Sequence, residues 1–242
     1  ECGQVTEFPW TEDFEDGAVE AYGGYPYLPP CWTSIDNNAD DYGFRGYSDL
    51  GVGGTWNVGL FTYYSYGASD DYLVLPQFSL PTDMNLSYQV KSQYGYDPYW
   101  NDYKVLLSTT GTDPADFTEE LLPLTVVENT TYATQTIDLS AYSGDVYIAF
   151  HVPAGGYRGY YLLLDEFEVS EIPKVNWTGT TSSDWATASN WSPETLPTSS
   201  DIVTIDGAVS NNPEISSTDA EAKRVIVTTD NTLTIDESSS LT

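Results

Sequence analysis

Leu162-Leu163-Leu164-Asp165-Glu166-Phe167 sets two carboxylates into an apolar strand pattern, and Asp13-Phe14-Glu15-Asp16-Gly17, near the other end of the same region, does likewise. Acidic oxygens beside a buried strand are costly unless something positive neutralises them. Ca2+ does so with about six to eight oxygens drawn from carboxylates, amides and backbone carbonyls. The pairing predicts an all-β sandwich whose first and last strands meet at a bound Ca2+, with Glu15, Asp16 and Asp165 among its ligands.

Working outward, the chain carries strand patterns and almost no helix. Tyr72-Leu73-Val74-Leu75, Leu86-Ser87-Tyr88-Gln89-Val90, Tyr103-Lys104-Val105-Leu106-Leu107, Thr134 to Leu139 and Asp145 to Val152 are short and rich in β-branched and aromatic residues. Gly, Pro, Asn and Asp bound them, the spacing of a sandwich or jelly roll. Asp113-Pro114-Ala115-Asp116-Phe117 begins one helical turn, which Thr118-Glu119-Glu120-Leu121-Leu122 extends. Composition changes near Glu171-Ile172-Pro173-Lys174, giving a jelly-roll domain over residues 1–172 and a smaller segment over 173–242. Nearly all the tyrosines precede that boundary, while Ser, Thr, Asn and Asp with Trp177, Trp185 and Trp191 follow it. Asp201 to Ile205, Arg224 to Val227, Thr232 to Ile235 and Ser240 to Thr242 read as short rungs, so the second part is a β-solenoid or small stacked sheet. The pattern stops mid-rung, and covalent continuation into further repeats is expected.

With 7 basic and 37 acidic residues the formal charge is -30, which repels nucleic acid phosphates and anionic lipid head groups. The expectation is no nucleic acid partner and, with no run of about 18 apolar residues in the sequence, no direct membrane insertion. Such a charge suits an extracellular setting, where salt screens it over about 8 Å or divalent cations bind it. Cys2 and Cys31 are the only cysteines. A disulfide between them fits a secreted protein, two free thiols or a lipid-bearing Cys2 being the alternatives.

Five ordered blocks carry a family resemblance: Phe8-Pro9-Trp10-Thr11-Glu12-Asp13-Phe14-Glu15-Asp16-Gly17, Pro30-Cys31-Trp32-Thr33-Ser34-Ile35-Asp36-Asn37-Asn38-Ala39-Asp40, Ser69 to Pro76, Leu107 to Gly111, and Asp165-Glu166-Phe167-Glu168-Val169. Together, over about residues 6 to 171, they resemble the choice-of-anchor J or cleaved-adhesin domains. These are secreted modules of Bacteroidetes-type bacteria, related in shape to MAM domains. Trp177-Thr178-Gly179, Asp184-Trp185 and Asn190-Trp191 resemble the start of a repeat segment of long surface proteins from such bacteria. The resemblance implies a jelly roll, structural calcium and a role in adhesion or in carrying an enzyme. It fixes no ligand.

Asp36-Asn37-Asn38-Ala39-Asp40-Asp41-Tyr42-Gly43 places Asp36, Asn38 and Asp40 at alternate positions, the spacing by which a tight loop wraps Ca2+, with Gly43 late for the turn. Where the family has Gly between the second and third acids this chain has Ala39, and Tyr47 stands where a twelfth-position Glu would complete the loop. Ligation must be finished from elsewhere, with Glu15 and Asp165 as the candidates. A solvated Asx-rich turn is the competing reading.

Two aromatic loops form the second constellation, Tyr94, Tyr96, Tyr99 and Trp100 in one, and Tyr157, Arg158 and Tyr160 in the other. Tyr and Trp faces stack on pyranose rings while polar neighbours reach hydroxyls. Tyrosine is equally a good strand former, which is the simpler reading of Tyr22, Tyr25, Tyr27, Tyr63, Tyr64 and Tyr66. His151 is the single histidine and sits in strand pattern, so Ser-His or Cys-His catalysis would rest on one imidazole. The expectation is a non-catalytic, calcium-stabilised extracellular adhesin presenting aromatic loops to a surface glycan or protein. An accessory carbohydrate-binding module of a larger secreted hydrolase and a ligand-free structural spacer are the alternatives.

Overall fold

Residues 2–15, 28–54, 56–62, 69–94, 100–155, 160–216, 219–228 and 230–242 are described by a computed structural model, in which Glu1–Glu171 form one unit and Ile172–Thr242 a second. The first unit contains β1 (Trp10–Glu12), β2 (Thr33–Asp36), β3 (Arg45–Tyr47), β4 (Asn57–Phe61), β5 (Asp71–Val74) and β6 (Phe78–Leu80). It continues with β7 (Met84–Ser92), β8 (Asn101–Ser108), β9 (Glu119–Val127), β10 (Ala133–Asp138), β11 (Gly144–Val152) and β12 (Tyr161–Glu171).

Two antiparallel sheets result. One runs β10-β7-β12-β4-β3 with β1 also on β12, and the other β2-β5-β11-β8-β9 with β6 also on β11. Strict alternation makes the sandwich: β7 buries every second residue, Met84, Leu86, Tyr88, Val90 and Ser92, and its partners Leu162 and Leu164 on β12 share that face. A single core with Leu73, Leu107, Phe150 and Phe167 fills the space between the sheets. Strand β12 is the hub, bonded to β7 along one side and to β4, then β1, along the other. The chain's first and last strands in this unit therefore meet, as Trp10↔Val169, Thr11↔Glu168 and Glu12↔Phe167. Cys2 and Cys31 form a disulfide with Cα atoms 5.1 Å apart.

The helical turn is a 3-10 turn of Pro114–Asp116 alone. Its extension toward Leu122 is overturned, because Glu119–Val127 pairs with β8 as an edge strand. Glu and Leu favour helix locally, but the cross-strand partners outweigh that preference. Pro123 is tolerated because it falls at the register irregularity opposite Lys104.

The second unit is built from β13 (Lys174–Trp177), β14 (Trp191–Ser192), β15 (Ile202–Ile205), β16 (Glu214–Ile215), β17 (Arg224–Val227) and β18 (Thr234–Ile235). Strands β13, β15 and β17 stack in parallel, Val175↔Val203↔Val225, as do β16 and β18; a parallel bridge joins Ala220 to Leu241. These are rungs in register, each covering the apolar face of the last. At the first rung Trp177, Trp185 and Trp191 pack with ring centroids 4.7–6.5 Å apart. Buried Asn190 binds the amides of Thr181 and Ser182 and donates to Ser182 Oγ and to Asp184 O. On the last rung Ile226, Val227 and Ile235 are exposed.

Candidate functional site

Strand phase creates the main acidic cluster. On β5, Leu73 faces the central core and Tyr72 and Val74 face a smaller cluster outside, so Asp71, in phase with Leu73, points inward. Asp71 is also the register partner of Asp36 at the end of β2. The loop that follows β2 then folds back, with Ala39 at φ 57° and Asp41 at φ 69°, and brings Asp40 in. One carboxylate oxygen from each of Asp36, Asp40 and Asp71 lies within 4.8 Å of the others. A Ca2+ ion with Ca-O distances of about 2.3–2.6 Å spans oxygens that far apart.

The three acids are not equivalent. Asp36 accepts the amides of Asp40 and Asp41, and Asp40 accepts that of Tyr42 and the Asn38 side-chain amide at 2.9 Å. Asp71 is 1% exposed, and neither of its oxygens has a hydrogen-bond partner among the described residues. Burial, with the charges of Asp40 and Asp36 added, pushes its carboxyl up to about 7. A buried carboxylate aimed at two others is the donor set a hard divalent cation neutralises, so these residues fit the expected Ca2+.

Gly43 plays a different part from the one its position implied. The left-handed backbone falls on Ala39 and Asp41 instead. A Cβ at Gly43 would meet Ser34 Oγ at 2.5 Å, so glycine is needed for close approach to β2.

Glu15 and Asp165 form a second acidic pair on the other sheet. Asp165 sits at the bulge where β12 shifts register against β7, followed by Glu166 at φ 48°. It accepts Val52 N-H at 2.7 Å and Glu166 N-H at 2.8 Å; Glu15 accepts Trp56 N-H at 2.8 Å. Burial pushes the Asp165 carboxyl up to about 7 against the pull of those amides, and Glu166 and Glu15 push the same way. The meeting of the terminal strands places Glu15 near enough for its charge to act on Asp165, but the carboxylate that joins Asp36 and Asp40 is Asp71. Asp16 lies outside the described residues.

His151, on β11, is a strand-face residue. Its ring stacks on Tyr72 at 3.9 Å and 7°, and its Nε2 lies 2.8 Å from Asp70 Oδ1. Asn37 donates to the other oxygen of Asp70, so this chain of contacts braces the loop behind Asp36. Burial holds the imidazole below its usual value, partly offset by Asp70.

Of the aromatic loop residues, Tyr94 and Tyr160 come together with ring centroids 5.5 Å apart, and Trp100 directly precedes β8. Tyr96, Tyr99, Tyr157 and Arg158 lie outside the described residues, as do Tyr22, Tyr25, Tyr27, Tyr63, Tyr64 and Tyr66. Sequence reasoning missed Asp71, although Asp70-Asp71 immediately before an alternating apolar strand, with Asp71 in phase with Leu73 and Leu75, was the available signal. It also missed Tyr42, Tyr47 and Phe61, whose grouping with Tyr160 and Tyr161 depends on strand neighbours.

The Cleaved Adhesin Domain family matches residues 20–169, and a domain family of unknown function matches residues 176–242. Hemagglutinin A of Porphyromonas gingivalis is 37% identical over 174 residues, which cover 59% of this chain and 8% of that protein. Gingipain R1 of the same species is 28% identical over 181 residues, 66% of this chain and 10% of the relative. The chain therefore spans a tenth or less of these curated relatives. The crystal structure of the K1 Cleaved Adhesin domain of Lys-gingipain from P. gingivalis W83 superposes with a TM-score of 0.53 at 25% identity, covering 68% of this chain and 99% of that one.

Proposed function

The chain belongs to the Cleaved Adhesin domain family, and from that membership we propose that its first unit is a non-catalytic adhesive module of an extracellular or cell-surface protein, held in shape by Ca2+ and binding a surface glycan or protein. The observation that carries the cation is Asp71, a buried carboxylate that has no hydrogen-bond partner among the described residues and faces Asp36 and Asp40. Ca2+ bound there would neutralise three like charges and fix the loop after β2 to β5. Asn38 belongs to the same loop and Glu15 with Asp165 is the second candidate ligand pair. Adhesion is supported by the kinship with Hemagglutinin A and gingipain proteins. The second unit, with its parallel rungs, is the element that would hold the first away from the surface bearing it.

Erythrocyte binding by chelated and by Ca2+-loaded protein tests this reading, with melting temperature followed alongside. Millimolar Ca2+ is expected to raise the melting temperature and restore binding lost on chelation. Asp71→Asn is expected to abolish the Ca2+-induced rise. A melting temperature indifferent to Ca2+ sinks the cation, and failure to bind cells in either state sinks adhesion.

A further inference from the structure

A band of aromatic rings crosses the outer face of β3, β4 and β12. Val58, Leu60, Leu162 and Leu164 point into the sandwich core, so the register partners Phe61 and Tyr161 point away from it. Tyr47, one strand over, packs on Tyr161 at 4.9 Å. Phe61 lies 5.0 Å from both Tyr161 and Tyr160, and Tyr42 and Tyr94 extend the band at 5.9 and 5.5 Å. None of these rings belongs to an apolar core cluster of the described residues, each keeps some exposure, and Tyr94 is 38% exposed. An outer sheet face that meets water is ordinarily polar.

Two backbone features hold the band in place. Tyr160 adopts φ 86°, a conformation that bulky side chains avoid and that concentrates at binding sites. It is kept there by Thr62 N-H donating to its carbonyl at 2.9 Å, and its ring stands between those of Phe61 and Tyr94. Gly59 forms the floor, since a Cβ there would meet Leu162 O and the Leu163 side chain at 2.8 Å and Tyr47 at 3.3 Å.

We propose that this band is the ligand-binding surface of the adhesive module and that its ligand is an uncharged glycan. The proposal rests on the adhesive reading above and names the ligand class. Tyrosine rings offer apolar faces to pyranose C-H groups and hydroxyls to sugar hydroxyls, so a band of five tyrosines and one phenylalanine meets both demands of a sugar ring. Charge selects within glycans: 37 acidic against 7 basic residues repel sialylated or sulfated chains.

The test is an array of neutral, sialylated and sulfated oligosaccharides probed with the Ca2+-loaded chain and with Tyr94→Ala and Phe61→Leu. Melting temperatures and erythrocyte binding are measured on the same samples. Binding to neutral glycans, weakened roughly tenfold in both variants at unchanged melting temperature, is the expected result. Preference for acidic glycans, or neutral binding unaffected by either substitution, overturns the proposal. Erythrocyte binding without any array signal also overturns it while leaving the adhesive module standing, with protein as its target.

Discussion

At the scale of single residues the acidic loop sets the chemistry, and Asp71 makes it pH-dependent. Its carboxyl titrates near 7 in the folded chain against an ordinary 3.8. Between those values the folded chain holds more protons than the unfolded one, so stability falls as pH rises from about 4 to about 7 and the loss is complete above that. Asp165 acts in the same direction. His151 acts oppositely: its folded value lies below 6.5, so stability falls as pH drops through that value. Calorimetry in chelator is therefore expected to show the melting temperature dropping from pH 4 to pH 7, with a shallower drop in Asp71→Asn. Added Ca2+ should remove much of the drop, because the cation favours the charged form. Ala39 offers an independent check. At φ 57° it occupies backbone space that costs an L-residue about 1–2 kcal/mol, partly offset by the greater freedom of unfolded glycine. Ala39→Gly is expected to stabilise the domain by up to about 1 kcal/mol in urea titrations.

At the scale of elements, β12 closes the sandwich. Phe167 packs against Phe14, Trp32, Tyr88 and Phe150, with centroids 5.0–5.9 Å away, so Phe167→Ala should lose about 3–5 kcal/mol in urea unfolding. The Cys2-Cys31 disulfide spans a sequence separation of 29; replacing both by Ser should cost about 3.6 kcal/mol by loop entropy and lower the stability measured in urea accordingly. Leu86 to Val90 was legible because period-two burial is written into the residues themselves, and Asp145 to Val152, buried on both faces from Ile148 onward, was legible from its run of apolar and aromatic residues. Strand β9 was not. Its Glu-Glu-Leu-Leu opening follows a genuine helix-start signal at Asp113-Pro114, and only the presence of β8 beside it selects the extended form.

At the scale of the whole molecule, charge and the two cores make separable predictions. A net charge of -30 opposes compaction, so added monovalent salt should raise the melting temperature of the chelated protein. Each unit has its own apolar core, so Trp191→Ala, which removes a ring buried to 2%, should lower the transition of the second unit and leave that of the first in place. The sequence by itself determined the all-β class, the rungs after Lys174 and the Asp36–Asp40 half of the acidic loop, and it pointed to the meeting of the terminal strands and to a cysteine pair that the structure then decided. The first three depend on residues close in the chain or on a periodicity that local order preserves. Tertiary structure alone decided that Asp71, rather than Glu15 or Asp165, joins Asp36 and Asp40, and that six rings scattered from Tyr42 to Tyr161 come into contact in one band. Those outcomes depend on which strands become neighbours and in what register, and a one-residue slip would turn strand residues such as Phe61, Asp71 and Tyr161 to the other side of their sheets.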